Sequence, residues 1–169
     1  LRGGKGTIYE GGSRVPLTMR WDGGGIPKDE RRSSLLVGLN DIYATLCELV
    51  GIDMSGRKGQ AVDSISFAKN IFDETNDVGL RSYLGTWLYE KDKTMKLASA
   101  SIRYMNMKFI HDSQNDEFEL YDLSTDISET RNIYRYADSH FIRMLHEKLK
   151  EIGPCIDRDG SFYVRRIRK

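Results

Sequence analysis

Four β-patterned stretches follow one another at 80–90, 97–104, 107–111 and 118–123, and this succession constrains the fold more than any other feature of the chain. Strands so close in sequence leave no room for the crossover that a parallel pair requires, so the pattern predicts an antiparallel meander. Asp112-Ser113-Gln114-Asn115-Asp116 supplies a polar turn between the last two. A helix is predicted from Asp138 or Ser139 to Ile152, with Phe141, Ile142, Leu145, Leu149 and Ile152 along one stripe and Gly153-Pro154 ending it. That stripe is what one face of the sheet needs to become a core.

The first part of the chain reads differently. Glycines crowd residues 1–32, and between them 15–21 alternates as a strand entered through Pro16. Gly23-Gly24-Gly25-Ile26-Pro27 is a turn, and 35–37 is a short strand or lead-in. A helix is predicted over about 40–50, with Ile42, Tyr43, Leu46, Leu49 and Val50 at helical spacing, Asn40 or Asp41 as cap and Gly51 at its end. A short helix over 65–72 follows, and the polar stretch 73–79 is the seam. The reading is therefore α+β in two parts, 1–79 and 80–169, the second carrying the sheet and a helix over about 138–152.

Charge and hydropathy exclude several classes. Among 169 residues, 26 Lys and Arg face 25 Asp and Glu, a net charge of +1, so the simplest electrostatic case for nucleic acid or an anionic membrane is absent. No apolar run approaches the roughly 18 residues of a membrane span. Arg165, Arg166, Arg168 and Lys169 form a basic end of the kind that is usually just solvated.

Gly3-Gly4-Lys5-Gly6-Thr7 invites comparison with a phosphate loop, but Gly6 separates Lys from Thr and a strand, not a helix, is expected beyond it. What survives is Lys5 itself, a compact cation among glycines, suited as a point charge to a tetrahedral anion. Glu10 and Arg14 lie four apart around Gly11-Gly12 and can pair to lock a turn, worth about 0–1 kcal/mol if exposed. His111, His140 and His146 have no metal-ligand spacing. Cys47 falls on the apolar helix as a core thiol, and Cys155 has no basic neighbour to activate it. Asp122, Asp126 and Glu129 cluster after the last strand without EF-hand spacing, as turn residues that bond local amides do. No catalytic residue and no metal ligand is assigned from these patterns.

Gly4-Lys5-Gly6-Thr7-Ile8-Tyr9-Glu10-Gly11-Gly12-Ser13-Arg14-Val15-Pro16 resembles the second signature of type I, formylglycine-dependent sulfatases of the alkaline-phosphatase-like superfamily. Further pieces resemble that family in order: Arg20-Trp21-Asp22-Gly23 with Ile26-Pro27, Asp41-Ile42-Tyr43-Ala44-Thr45-Leu46, Asp63-Ser64-Ile65-Ser66-Phe67, Lys108-Phe109-Ile110, and Glu119-Leu120-Tyr121-Asp122-Leu123-Ser124-Thr125-Asp126 continued by Glu129 and Asn132. Departures are Asp22, Ala44 and Ile127 for Pro, Ser64 for Gly, and Leu39 where His is common.

The resemblance implies that 1–79 is the end of the sulfatase α/β main domain and that 80–169 is its small carboxy-terminal antiparallel subdomain. It implies a sulfate-ester substrate, with Lys5 on the family's sulfate-binding lysine, and Glu10 and Arg14 as structural members of the motif. It also implies calcium, and formylglycine made from an upstream Cys or Ser in Cys-x-Pro-x-Arg or its Ser form. Neither Cys47-Glu48-Leu49 nor Cys155-Ile156-Asp157-Arg158 has that pattern, and no Asp-Asp pair precedes Lys5. The nucleophile and the calcium ligands are thus expected on a preceding part against which this segment packs, with the segment inactive alone. Periplasmic or secreted placement is usual for the family. The alternatives are a phosphonate or phosphate monoester hydrolase of the same superfamily and a non-catalytic interaction module.

Overall fold

The β-patterned stretches pair as their spacing requires. A computed structural model of the chain describes residues 1–26, 33, 35–54, 63–72, 81–89, 97–112, 115–152, 155–156 and 162–163. In it β1 (Tyr83–Tyr89), β2 (Leu97–Tyr104), β3 (Met107–Asp112) and β4 (Glu117–Asp122) form one sheet in the order β1-β2-β3-β4. β2–β3 and β3–β4 are antiparallel, with Ile102 opposite Phe109 and Phe109 opposite Leu120. The seam at 73–79, the Gly153-Pro154 stop and the basic end Arg165, Arg166, Arg168 and Lys169 lie outside the described residues. Between that stop and the basic end, β5 (Cys155–Ile156) and β6 (Phe162–Tyr163) pair antiparallel, a pairing the sequence does not announce.

The period of two sorts the sheet into two covered faces. On one, Ile102, Phe109 and Leu120 are shut from solvent together with Leu145 of α4 (Ser139–Ile152), which lies on β2. Each such fully buried side chain contributes roughly 1.5–3 kcal/mol of transfer free energy. His146 of α4 meets Phe109 and Phe118 edge-on, with centroids 4.8 and 4.6 Å apart. The Asp138 carboxylate accepts the Phe141 N–H at 2.9 Å and so caps the helix. On the opposite face Ile110, Tyr121 and Leu123 pack with Ile8 from the amino-terminal segment.

The acidic stretch after β4 is turn chemistry at two of its three carboxylates. Asp122 accepts the Ser124 N–H at 2.9 Å, and Asp126 accepts the amides of Thr130 and Arg131 at 2.9 and 2.8 Å. Asn132 then mimics a strand: its Oδ1 accepts the Leu120 N–H at 3.0 Å and its Nδ2 donates to the Phe118 carbonyl at 3.2 Å.

Contacts divide the chain into two compact units, Leu1–Pro16 with Gly85–Lys169, and Leu17–Leu84. The first sixteen residues thus group with the sheet, whereas the sequence division set them with the other part; the reason is that Ile8 and the charged residues around it pack on β3 and β4.

In the second unit α2 (Asp41–Leu49) and α3 (Ala68–Phe72) follow the predicted helices closely. What α2 buries is not what its periodicity suggested. Tyr43, Leu46 and Val50 are exposed, as is Leu39, one turn before Tyr43, while Asp41, Thr45 and Cys47 are buried. The buried pair works through hydrogen bonds: Asp41 accepts the amides of Gly38 and Ile65, both at 2.8 Å, and the Thr45 hydroxyl accepts the Phe67 N–H at 3.1 Å. The predicted strand at 15–21 joins no sheet among the described residues, because no neighbouring strand is there to take up its hydrogen bonds.

Candidate functional site

Lys5 sits at the exposed tip of a loop whose two ends are fastened to one face of the sheet. At the first end the Arg2 guanidinium lies 3.8 Å over the Tyr9 ring and donates to Tyr121 Oη at 2.7 Å and to the Glu129 carbonyl at 3.2 Å. Tyr9 and Tyr121 both donate to Glu119, at 3.1 and 2.5 Å. Burial first, then the Glu119 charge, pushes the Tyr9 hydroxyl up to about 12; burial and the Glu119 bond likewise raise Tyr121. Both phenols therefore remain donors at any physiological pH.

At the second end a single turn of helix, α1 (Glu10–Ser13), carries Glu10 into a buried charged cluster. Lys108 Nζ donates to Glu10 Oε1 at 2.9 Å and lies 3.0 Å from Glu129 Oε1, off the direction of a hydrogen bond, so that second contact is coulombic. The other Glu129 oxygen accepts the Glu10 backbone N–H at 2.7 Å. Arg14 donates to Glu10 Oε2 at 3.4 Å, and Arg103 lies 4.0 Å from the same oxygen. Burial alone would raise the Glu10 carboxyl; the Lys108 hydrogen bond and charge, with Arg103 and Arg14, outweigh it and hold the group below the usual carboxylate range. Glu129 is presented from a left-handed backbone position, φ +53°, fixed by the Asp126 turn.

Between these ends the backbone is cross-tied. Gly11 N–H donates to the Arg2 carbonyl at 2.8 Å, Thr7 N–H to the Gly4 carbonyl at 3.0 Å, and Gly4 N–H to the Thr7 hydroxyl at 3.1 Å. A Cβ on Gly11 would meet the Gly3 carbonyl at 2.4 Å, and one on Gly12 the Thr7 carbonyl at 2.2 Å. The two glycines are thus required by close approach, since α1 rests directly on the backbone that flanks Lys5. Lys5 is exposed, and a Cβ on either neighbouring glycine, Gly4 or Gly6, would meet nothing within 4 Å among the described residues. An exposed ammonium on a loop whose backbone is fixed at both ends is available as an electrostatic partner for an anionic group.

The sequence placed Glu10 and Arg14 together, and their side chains do meet. It missed Lys108 and Glu129, which are the principal partners of Glu10. The available signal was Lys108 between Met107 and Phe109 in a strand covered on both faces: a lysine buried there needs carboxylates.

The other candidates fall elsewhere. His111 pairs with Asp116 at 3.1 Å and stacks on Phe118; Cys47 is buried and free; the Cys155 side chain is outside the described residues. Among the described residues no three of His, Cys, Asp and Glu converge as a metal cage, and Asp122, Asp126 and Glu129 are each engaged by the partners given above. These residues do not fit a calcium site. No helix among them is long and apolar enough to cross a membrane.

Comparison with known proteins gives one consistent result. The family described as N-sulphoglucosamine sulphohydrolase, C-terminal, matches residues 4–153. A Formosa agariphila protein named Sulfatase is 30% identical over 138 residues, covering 79% of this chain and 25% of that protein. Among solved structures, a Bacteroides thetaiotaomicron protein assigned as a sulfatase superposes with TM-score 0.50 at 23% identity, covering 66% of this chain and 23% of its own. A 2-O GAG sulfatase does so with TM-score 0.51 at 20% identity, over 66% and 24%. The chain spans about a quarter of the length of these relatives, and at such identities the structural likeness shows the fold.

Proposed function

The chain belongs to the N-sulphoglucosamine sulphohydrolase C-terminal family, and from that membership we propose that it serves as the carboxy-terminal segment of a sulfuric ester hydrolase to which it contributes Lys5. The observation that carries this reading is the Lys5 loop: an exposed cation between two glycines, on a backbone tied at one end through Arg2 to Tyr121 and the Glu129 carbonyl and at the other through Glu10 to Lys108 and Glu129. Residues 1–79 close the catalytic α/β domain in this reading, and 80–169 form the subdomain that anchors the loop.

In the reaction, Lys5 meets the non-bridging oxygens of the sulfate group and offsets the negative charge they carry while the ester S–O bond breaks and its electron pair leaves with the departing oxygen. Because the backbone on either side of Lys5 is tied beforehand, the point from which its flexible side chain reaches is fixed before the sulfate arrives. The nucleophile, a formylglycine made from Cys or Ser, and the calcium ion belong in this proposal to the preceding part of the polypeptide, so the 169-residue chain alone turns over nothing.

The experiment is Lys5→Ala in the full-length protein with an aryl sulfate as substrate. Loss of one such contact is expected to lower kcat about 10²–10³-fold, by the precedent of a single oxyanion donor. Wild-type turnover by K5A would overturn the proposal.

A further inference from the structure

We infer that Lys108 is a positioning residue for Lys5, acting through the buried carboxylates of Glu10 and Glu129; the inference rests on the reading of Lys5 as the sulfate-binding cation. Lys108 is on β3, and its side chain is only 3% exposed. Its Nζ holds Glu10 at 2.9 Å, Glu129 at 3.0 Å and the Ser13 hydroxyl at 3.3 Å, so one ammonium grips both the first and the last residue of α1. Glu129 closes the ring by accepting the Glu10 N–H.

The grip is transmitted by backbone contact. Gly11 and Gly12 of α1 lie against the carbonyls of Arg2, Gly3, Gly4 and Thr7, close enough that no Cβ fits between. Residues 2–4 and 7 flank Lys5 on both sides. A displacement of α1 must therefore displace the loop that presents the ammonium. A buried, hydrogen-bonded set of charges is a weak source of net stability, because desolvation opposes its coulombic gain; what it supplies well is a unique geometry. Among the described residues Lys108 is the one whose side chain meets both carboxylates of that set, and it stands on β3, an interior strand of the sheet.

The test is a double-mutant cycle in the full-length protein, read as kcat and KM for 4-nitrophenyl sulfate. Lys108→Met is expected to lower kcat/KM roughly 10- to 100-fold, carried by kcat, as a misplacement near 1 Å can do. On the Lys5→Ala background the same change is expected to cost less than about threefold, since nothing is left to misplace. Equal losses on both backgrounds would mean a structural role alone and would overturn the inference while leaving Lys5 in its role. Unchanged kcat/KM in K5A would instead overturn the Lys5 reading. Lys108→Arg, which keeps a cation, is expected to restore part of the rate. Should K108M fail to fold, Glu129→Gln takes its place in the cycle with the same expectations. Amide hydrogen exchange over residues 3–7 decides the matter without any substrate: it should quicken at least about tenfold in K108M or E129Q with α4 unchanged. Unaltered exchange there overturns the inference.

Discussion

The Ala44 backbone N–H donates to the Ser64 hydroxyl at 3.0 Å, and the two residues stand where the sulfatase pattern has Pro and Gly. Proline would have no N–H to give and glycine no hydroxyl to receive it, so the bond needs both Ala44 and Ser64 as they stand. It joins α2 to the segment that also meets Asp41 and Thr45. Ser64→Gly should therefore cost about 0.5–1.5 kcal/mol in the natural background, the net worth of one hydrogen bond, and close to nothing beside Ala44→Pro. Urea unfolding of the four members of this cycle measures the coupling. Strict additivity would show that the bond contributes nothing.

The buried charges predict an inversion of the usual order of severity. Lys108→Met leaves the Glu10 and Glu129 carboxylates facing each other without their shared cation and should destabilise by about 3–5 kcal/mol. The triple change Glu10→Gln, Lys108→Met, Glu129→Gln removes the charges together and is expected to cost less than K108M alone. Denaturant midpoints give the comparison, and a triple variant weaker than the single one would refute it.

What the sequence disclosed was local, and what it concealed was distant. β2 falls at 97–104 as read, because alternation over eight residues and a flanking turn are both short-range signals. The α4 limits follow from Asp138 and the apolar stripe in the same way. The partners of Glu10 were legible only as a need of Lys108 for carboxylates: Lys108 and Glu129 lie 98 and 119 positions from Glu10, and nothing in local spacing joins them. The α2 stripe misled for a related reason. Periodicity at Ile42, Tyr43, Leu46, Leu49 and Val50 reports an apolar face but not what covers it, and among the described residues Tyr43, Leu46 and Val50 of that face are exposed. Its opposite face was hidden because Asp41 and Thr45 are polar and are buried only by virtue of the amides they receive.

Asp41 makes the acid side of stability predictable. Burial would raise its carboxyl, but the Arg81 hydrogen bonds, then the amides of Gly38 and Ile65, hold it below its ordinary value of 3.8. The unfolded chain thus binds more protons than the folded one as pH falls below about 4, so the stability this group contributes is complete at higher pH and is lost as the folded pKa is crossed. Asp41→Asn should lower stability at pH 7 and flatten the curve below pH 4. Thermal unfolding between pH 2.5 and 7 tests both halves.

His146 sets a second, milder window. Burial among Phe109, Phe118 and Tyr134, then the charge of Lys150 and the neighbouring His111, lowers its pKa below 6.5. A lowered histidine is neutral in the fold while the unfolded chain takes up its proton, so stability is full above about pH 6.5 and declines as pH falls toward the folded value. His146→Gln should remove that slope between pH 7 and 5 while leaving the Asp41 limb in place. An unchanged slope in H146Q would assign the effect to another group.

Two glycines of one loop should respond in opposite ways to the same substitution. At Gly4 the backbone φ is not positive and a Cβ would meet nothing within 4 Å, so Gly4→Ala should leave the loop intact and shift stability by no more than about 1 kcal/mol in either direction. At Gly12 the Cβ would stand 2.2 Å from the Thr7 carbonyl and 2.6 Å from that of Gly4, backbone atoms that cannot swing aside. Gly12→Ala must therefore lift α1 off residues 4–7 or pull Glu10 out of its cluster with Lys108. Either movement should quicken amide exchange at Gly4 and Thr7 and, under the proposed function, lower sulfate-ester turnover by the full-length protein, while G4A behaves as wild type in both measurements. Equal behaviour of the two variants would show that the close approach of α1 does not hold the loop.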